Sequence, residues 1–183
     1  ATIKAADNAG NIGPQSASSD GVLVDVTVPV AATPVDGGTY STVDVLLFNW
    51  SVPDDAPSGI DGYFISIGTS PGGSDIVKDL WTLETAYTLT DAIGGRSYYI
   101  RVRALDKAGN LGPYSASSDG ITVDMTPPSA VVLTSGATSK NASALELSWS
   151  ISFDPETSVI EYQYALGTTA GATDVLNWTG AGL

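Results

Sequence analysis

The first 29 residues of the chain return 99 positions later as residues 100–128, with 17 of the 29 pairs identical. Asp7 falls on Asp106, Gly10-Asn11 on Gly109-Asn110, and Ser16 through Gly21 on Ser115 through Gly120. A repeat at an interval typical of a whole domain means that each unit must bury its own core. The 183 residues therefore read as one complete module, residues 30–128. It is flanked by the last two strands of a preceding module, residues 1–29, and the first strands of a following one, residues 129–183. Ala1 is not a natural start, so the chain reads as an excerpt of a longer array.

Within the unit the periodicity is that of strands. Leu46, Phe48 and Trp50 alternate with Leu47 and Asn49, as do Ile100, Val102 and Ala104 with Arg101 and Arg103, so each run turns one apolar face inward. The partial copies repeat the scheme at Ile3 and Ala5 and at Leu145, Leu147 and Trp149. Clusters such as Asp36-Gly-Gly, Ser70-Pro-Gly-Gly and Gly94-Gly95 punctuate the strands. Val28-Pro29 and Met125-Thr-Pro-Pro128 read as stiff linkers, because proline prevents further strand pairing. Ile76 to Leu83 reads as an edge strand guarded by Lys78 and Asp79. Seven short strands in about 99 residues predict an all-β, two-sheet sandwich of immunoglobulin-like type, repeated in tandem.

Composition narrows the chemistry. Seven Lys and Arg stand against 20 Asp and Glu, and the net charges of residues 1–29, 30–128 and 129–183 are −2, −7 and −4. Nucleic acid, whose affinity comes from neutralised phosphates, is a poor partner for such a surface. The chain has no cysteine and no histidine, which removes disulfides, thiolate zinc sites and Ser-His or Cys-His catalysis together. Without a long apolar run, the sequence predicts neither a signal peptide nor a membrane-embedded segment.

Trp50 on an early strand, then Gly62-Tyr63-Phe-Ile, then Leu89 to Ile93-Gly-Gly-Arg-Ser-Tyr98 and on to Ala104, resemble the fibronectin type III domain. The resemblance covers residues 30–128 wholly and both ends in part. It implies a buried Trp50 and a corner in which the Tyr98 hydroxyl ties down the preceding turn. The ending with Asp-x-Ala-Gly-Asn and Val-Asp-x-Thr-Pro-Pro is similar to modules found in tandem in exported bacterial surface proteins and secreted polysaccharide-degrading enzymes. The loop that carries an Arg-Gly-Asp signal in some animal members reads Asp106-Lys-Ala-Gly-Asn110 here, so integrin binding has no support.

In that topology the loop after the second strand and the loop before the last strand share the pole facing the previous module. Asp25 in the arriving linker, Asp54 and Asp55 in the first loop, and Asp106 and Asn110 in the second are the candidate ligands of an inter-module cation. Asp124 with Asp154 and Glu156 form the equivalent set at the next joint. Hard oxygen donors at flexible spacing suit Ca2+, while Asp and Asn in such loops also cap turns without any metal. Tyr99, Arg101, Arg103 and Phe64 point away from the core and read as a covered outer face or a cation–π ladder. Trp50 and Trp149 are expected in cores, with Trp81 and Trp178 partly exposed. The acceptor patterns at Asn49, Asn141 and Asn177 carry no weight.

No catalytic constellation is expected. The leading function is a non-catalytic structural or adhesive array, a spacer or fibre at a cell surface or in an extracellular assembly. An accessory module of a secreted glycan-active enzyme is one alternative. A filament subunit whose odd ends are completed by strand addition from a neighbouring chain is another. Expected partners are neighbouring modules or copies of the chain, with surface glycans as a further class.

Overall fold

A computed structural model describes residues 1–135 and 145–183; the acceptor pattern at Asn141 lies outside them. The described residues contain twelve strands. In the central module one sheet joins β1 (Pro34–Val35), β3 (Leu46–Trp50) and β6 (Ala86–Leu89) in the order β1-β3-β6. The other joins β2 (Tyr40–Ser41), β4 (Ile60–Gly68), β5 (Val77–Thr82), β7 (Ser97–Asp106) and β8 (Ile121–Val123) in the order β2-β8-β7-β4-β5. This is the two-sheet sandwich that the alternation predicts, with β5 at an edge. Among the described residues no helix is long and apolar enough to cross a membrane.

The core lies between β3 on one sheet and β4 and β7 on the other. β7 alternates buried and partly exposed positions along all ten residues, sending Tyr98, Ile100, Val102 and Ala104 inward. These meet Leu46, Phe48 and Trp50 from β3 and Tyr63, Ile65 and Ile67 from β4. Trp50 and Tyr63 pack edge to face at 5.7 Å, the arrangement that ring quadrupoles favour. The Tyr98 hydroxyl accepts the Ile93 amide at 2.8 Å, closing the expected corner.

Both copies of the repeated stretch show why its serines recur. Ser115 and Ser118 donate their amides to the carbonyls of Val102 and Ile100, and their hydroxyls accept the amides of the same two residues. Ser16 likewise binds Ile3 through both amide and hydroxyl. A serine hydroxyl thus takes over the acceptor role beside the backbone ladder, which pairs the buried Ile100 and Val102 amides. The adjoining Gly21 and Gly120 share positive φ, +94° and +97°.

The flanking pieces differ from expectation. Residues 1–29 keep the hairpin, with an Ala6–Ile12 bridge, but Val22–Val24 form no strand. Their counterpart β8 is held by β2 and β7; Val22–Val24 have no such neighbours and Val22 is 88% exposed. Beyond the central module, β9 (Leu133–Ser135) pairs with β10 (Leu147–Trp149), and β11 (Tyr162–Leu166) pairs with β12 (Leu176–Gly182). Each is a sheet of only two strands, without counterparts of β6 and β7, so Trp149, expected in a core, is only half-buried against Tyr162.

The corner bond gives a direct check. Tyr98→Phe keeps the ring but strands the Ile93 amide and is expected to cost about 1–2 kcal/mol in urea unfolding. Phe48→Ala, which empties a fully buried ring site, is expected to cost about 3–5 kcal/mol.

Candidate functional site at the module joints

The two ends of the repeated stretch meet at one place. The hairpin loop after β7 is built by Asp106, whose Oδ1 accepts the amides of Ala108 and Asn110 at 2.9 and 2.7 Å. Its Oδ2 accepts the Asn110 side-chain amide at 2.8 Å. Asp7 does the same with Ala9 and Asn11. The recurring Asp-x-Ala-Gly-Asn is therefore first a turn, in which one carboxylate replaces the missing ladder acceptors.

In the central module that turn also grips the incoming linker. The Asn110 side-chain amide donates to the Asp25 carbonyl at 3.1 Å. Asp25 Oδ2 accepts the Ser58 amide at 3.0 Å, and its Oδ1 accepts the Thr27 amide at 3.0 Å. The Thr27 hydroxyl lies 2.6 Å from Asp25 Oδ1 and 3.0 Å from the Ala56 carbonyl, so its single proton serves both. Asp55 Oδ2 accepts the Gly59 amide at 2.9 Å and faces the Ser58 hydroxyl at 3.3 Å. Pro29 is fully buried, and a Cβ on Gly112 would stand 2.7 Å from the Pro29 carbonyl oxygen, so glycine is needed for the linker to lie that close.

These contacts bring one carboxylate oxygen each from Asp25, Asp55 and Asp106 within 4.8 Å of one another. At the second joint Asp25 and Asp55 recur 99 residues on as Asp124 and Asp154, while Glu156 takes the place of the Asp106 carboxylate. Asp124 Oδ1 accepts the Thr126 amide at 3.1 Å, its Oδ2 accepts the Thr157 hydroxyl at 2.6 Å, and Asp154 caps the amides of Glu156 and Thr157. Asp124, Asp154 and Glu156 again lie within 4.8 Å, with Thr126 donating to Glu156. Two of the expected residues take other roles. Asp54 is outside the carboxylate group, and its carbonyl joins in by accepting the Val30 amide at 3.4 Å. Asn110 presents its amide nitrogen to the Asp106 carboxylate and the Asp25 carbonyl and so acts as a donor clip.

The hydrogen bonds set the charge state. Those from Thr27 and then Ser58 hold the Asp25 carboxyl at about 2, well below its ordinary value. For Asp106 burial pushes upward, but the bonds from Asn110 and Ala108 outweigh it and leave the group below its usual range. Carboxylate and hydroxyl oxygens converging from three chain segments are donors of the kind a hard divalent cation takes. The same oxygens are also bonded within the protein.

Of the two readings of the larger sheet's outer face, the cation–π one describes Arg101, Arg103 and Phe64, while Tyr99 stands beside Gly120 instead. The Arg101 and Arg103 guanidinium groups lie 4.2 and 4.5 Å from the Tyr114 ring centroid, and Arg103 also lies 5.4 Å from Phe64. Arg103 pairs with Asp79 at 3.0 Å, and Phe64 packs on Trp81 at 5.0 Å. Tyr114 and Asp79 are the members that sequence periodicity misses. Tyr114 follows a loop outside any alternating run. Asp79 joins because its φ of +47° lets the edge strand bulge, which no side-chain pattern signals.

Residues 38–121 match the family model of the fibronectin type III domain. The chain is 34% identical over 153 residues to Exoglucanase A of Cellulomonas fimi, covering 79% of this chain and 16% of that protein. To Exoglucanase B of the same organism it is 29% identical over 169 residues, covering 87% and 14%. The chain thus spans less than a fifth of the length of these relatives. Among solved structures, a crystal structure of titin domains aligns with 53% of this chain and 33% of its own at 26% identity and a TM-score of 0.43.

Acid should open the first joint. Because the folded pKa of Asp25 is depressed from 3.8 to about 2, its contribution is complete above about pH 4 and is lost as pH falls toward 2. Melting temperature measured from pH 6 to pH 2 should fall on that limb, and Asp25→Ala should lower the plateau and flatten the limb. The central module of this chain is a fibronectin type III domain.

Proposed function

We propose that the chain is a non-catalytic spacer whose modules are held at a set distance and angle by carboxylate clasps at their joints, and that it serves an exported protein. The observation that carries this reading is the recurrence of one clasp at both joints: Asp25 on Ser58 and Asn110, then Asp124 on Thr157. Linkers that serve only as tethers have no use for such bonds, since flexibility comes from leaving the backbone free. Asp25, Asp55, Asp106, Asp124 and Asp154 accept backbone amides, which gives them structural roles.

The likeness to two exoglucanases of Cellulomonas fimi supports one setting above others, that of an accessory region of a secreted glycan-active protein. There the spacer would fix the reach between a catalytic part and its support. The extracellular placement and a role in adhesion belong to the same proposal.

The three-carboxylate geometry favours a second reading of the joints, in which each takes one cation of the Ca2+ class. Such an ion would neutralise like charges that hydrogen bonds alone leave facing one another. Binding to the folded state would raise stability by mass action.

Small-angle scattering tests the spacer. The chain should give one narrow distribution of distances, and Asp25→Ala with Asp124→Ala should broaden it while the central module keeps its own fold. An equally narrow profile in the double variant would remove the clasp from the account. For the cation, millimolar Ca2+ should raise the melting temperature by several degrees and a chelator should reverse it. An unchanged transition leaves the joints to hydrogen bonds only.

A further inference from the structure

The aspartates of the joints recur along the chain, whereas the outer face of the larger sheet belongs to the central module alone. The positions of Arg101, Arg103 and Tyr114 are held 99 residues earlier by Thr2, Lys4 and Gln15. Those of Phe64, Asp79 and Trp81 are held 99 residues later by Gln163, Trp178 and Gly180. The fold asks only that this face be covered. Trp81 lies over Gly62, where a Cβ would stand 2.6 Å from the indole, whereas in the following module the cover comes from the opposite strand, with Glu161 over Gly180. The row of rings and guanidinium groups is therefore an addition to the sandwich that its packing does not require.

The row is held from beneath. Buried Ser66 faces the Tyr114 hydroxyl at 3.3 Å and accepts the Asp79 amide at 3.1 Å, and Tyr114 donates to the Asp79 carboxylate. With both arginines stacked on Tyr114 and Arg103 paired with Asp79, the side chains are ordered before any ligand arrives, which lowers the cost of binding. The ends of the row are open in different ways. At one end Trp81 rests on Phe64 and stays 40% exposed. At the other, Arg101 Nε is buried without a hydrogen-bond partner, and the one ion pair among the described residues belongs to Arg103.

We propose that this row is a binding face for a glycan chain that carries carboxylates. A pyranose ring offers a flat set of C–H groups, and the exposed indole of Trp81 is the amphipathic surface that accepts it. A uronate carboxylate further along the glycan is planar, and the Arg101 guanidinium can receive it through two parallel N–H donors. Charge complementarity selects this occupant. On a chain of net charge −13 the row brings two of the seven cations together, and the carboxylate that touches them, Asp79, is already engaged. The inference does not rest on the spacer reading, because it concerns residues that neither joint uses.

Isothermal titration calorimetry of the 183-residue chain tests the proposal with an oligogalacturonate and with its methyl ester. Chelator is kept present, so that no divalent cation bridges the sugar to the joints. Saturable binding of the acid form is expected, with the ester bound about tenfold more weakly. Trp81→Ala and Arg101→Lys should each weaken binding of the acid form by about tenfold; the lysine keeps the charge and removes the planar pair of donors. Trp178→Ala and Lys107→Gln should leave binding unchanged. A melting curve for Arg101→Lys that matches the parent separates a lost contact from a lost fold. No binding of the acid form, equal affinity for the ester, or full affinity in Trp81→Ala or in Arg101→Lys would each overturn the proposal. Narrow scattering from a chain that binds neither sugar would leave the spacer standing and remove only this face.

Discussion

Everything at the joints hangs on the pairing of β7 with β4 across the core. Eight residues of β4 stand opposite β7, from Ile60 beside Asp106 to Gly68 beside Tyr99. The inward side chains of the two strands close on Phe48 and Trp50 of the facing sheet. This single packed contact fixes where both strands end. Ile60 begins just after the loop that carries Asp55 and Ser58, and Asp106 begins the loop that carries Asn110. The two loops therefore arrive side by side at one pole, and the linker meets a preformed grip.

The grip is polar, and its strength comes from geometry more than from charge. Exposed ion pairs contribute little, whereas a carboxylate that satisfies two or three backbone amides holds both itself and the turn it closes. Asp106 is 1% exposed and would be costly to bury without its partners. Its bonds to Ala108 and Asn110 fix Asn110 where its amide reaches Asp25. The same logic operates at the corner, where burial of Tyr98 fixes Ile93 and, through Val123, the start of the next linker. Core packing is thus transmitted to each joint by short hydrogen-bonded chains.

Much of this was legible in the sequence because it depends on patterns the backbone imposes. Period-two alternation located β3, β4 and β7, and the repeat located the joints. Asp25, Asp55 and Asp106 could be brought together from topology alone, since the resembled fold places their loops at one pole. What sequence could not supply was the role of each loop side chain: Asp54 stays out of the carboxylate group although it adjoins Asp55, and Asn110 donates. Nor could it supply the contacts made by glycines, since the corner at Gly94-Gly95 reads as a strand break and its approach to Glu156 depends on the angle between modules. Trp149 shows a further limit, for the same alternation that buries Trp50 leaves its counterpart half-covered where each sheet has only two strands.

The central claim is that the linker is part of the folded module. Backbone 15N relaxation of residues 25–30 tests it most directly, because nanosecond motion separates a tether from a bonded segment. The account predicts order parameters for Asp25, Thr27 and Val28 close to those of β7. Values typical of a free chain end at these residues, with β7 still ordered, would contradict it.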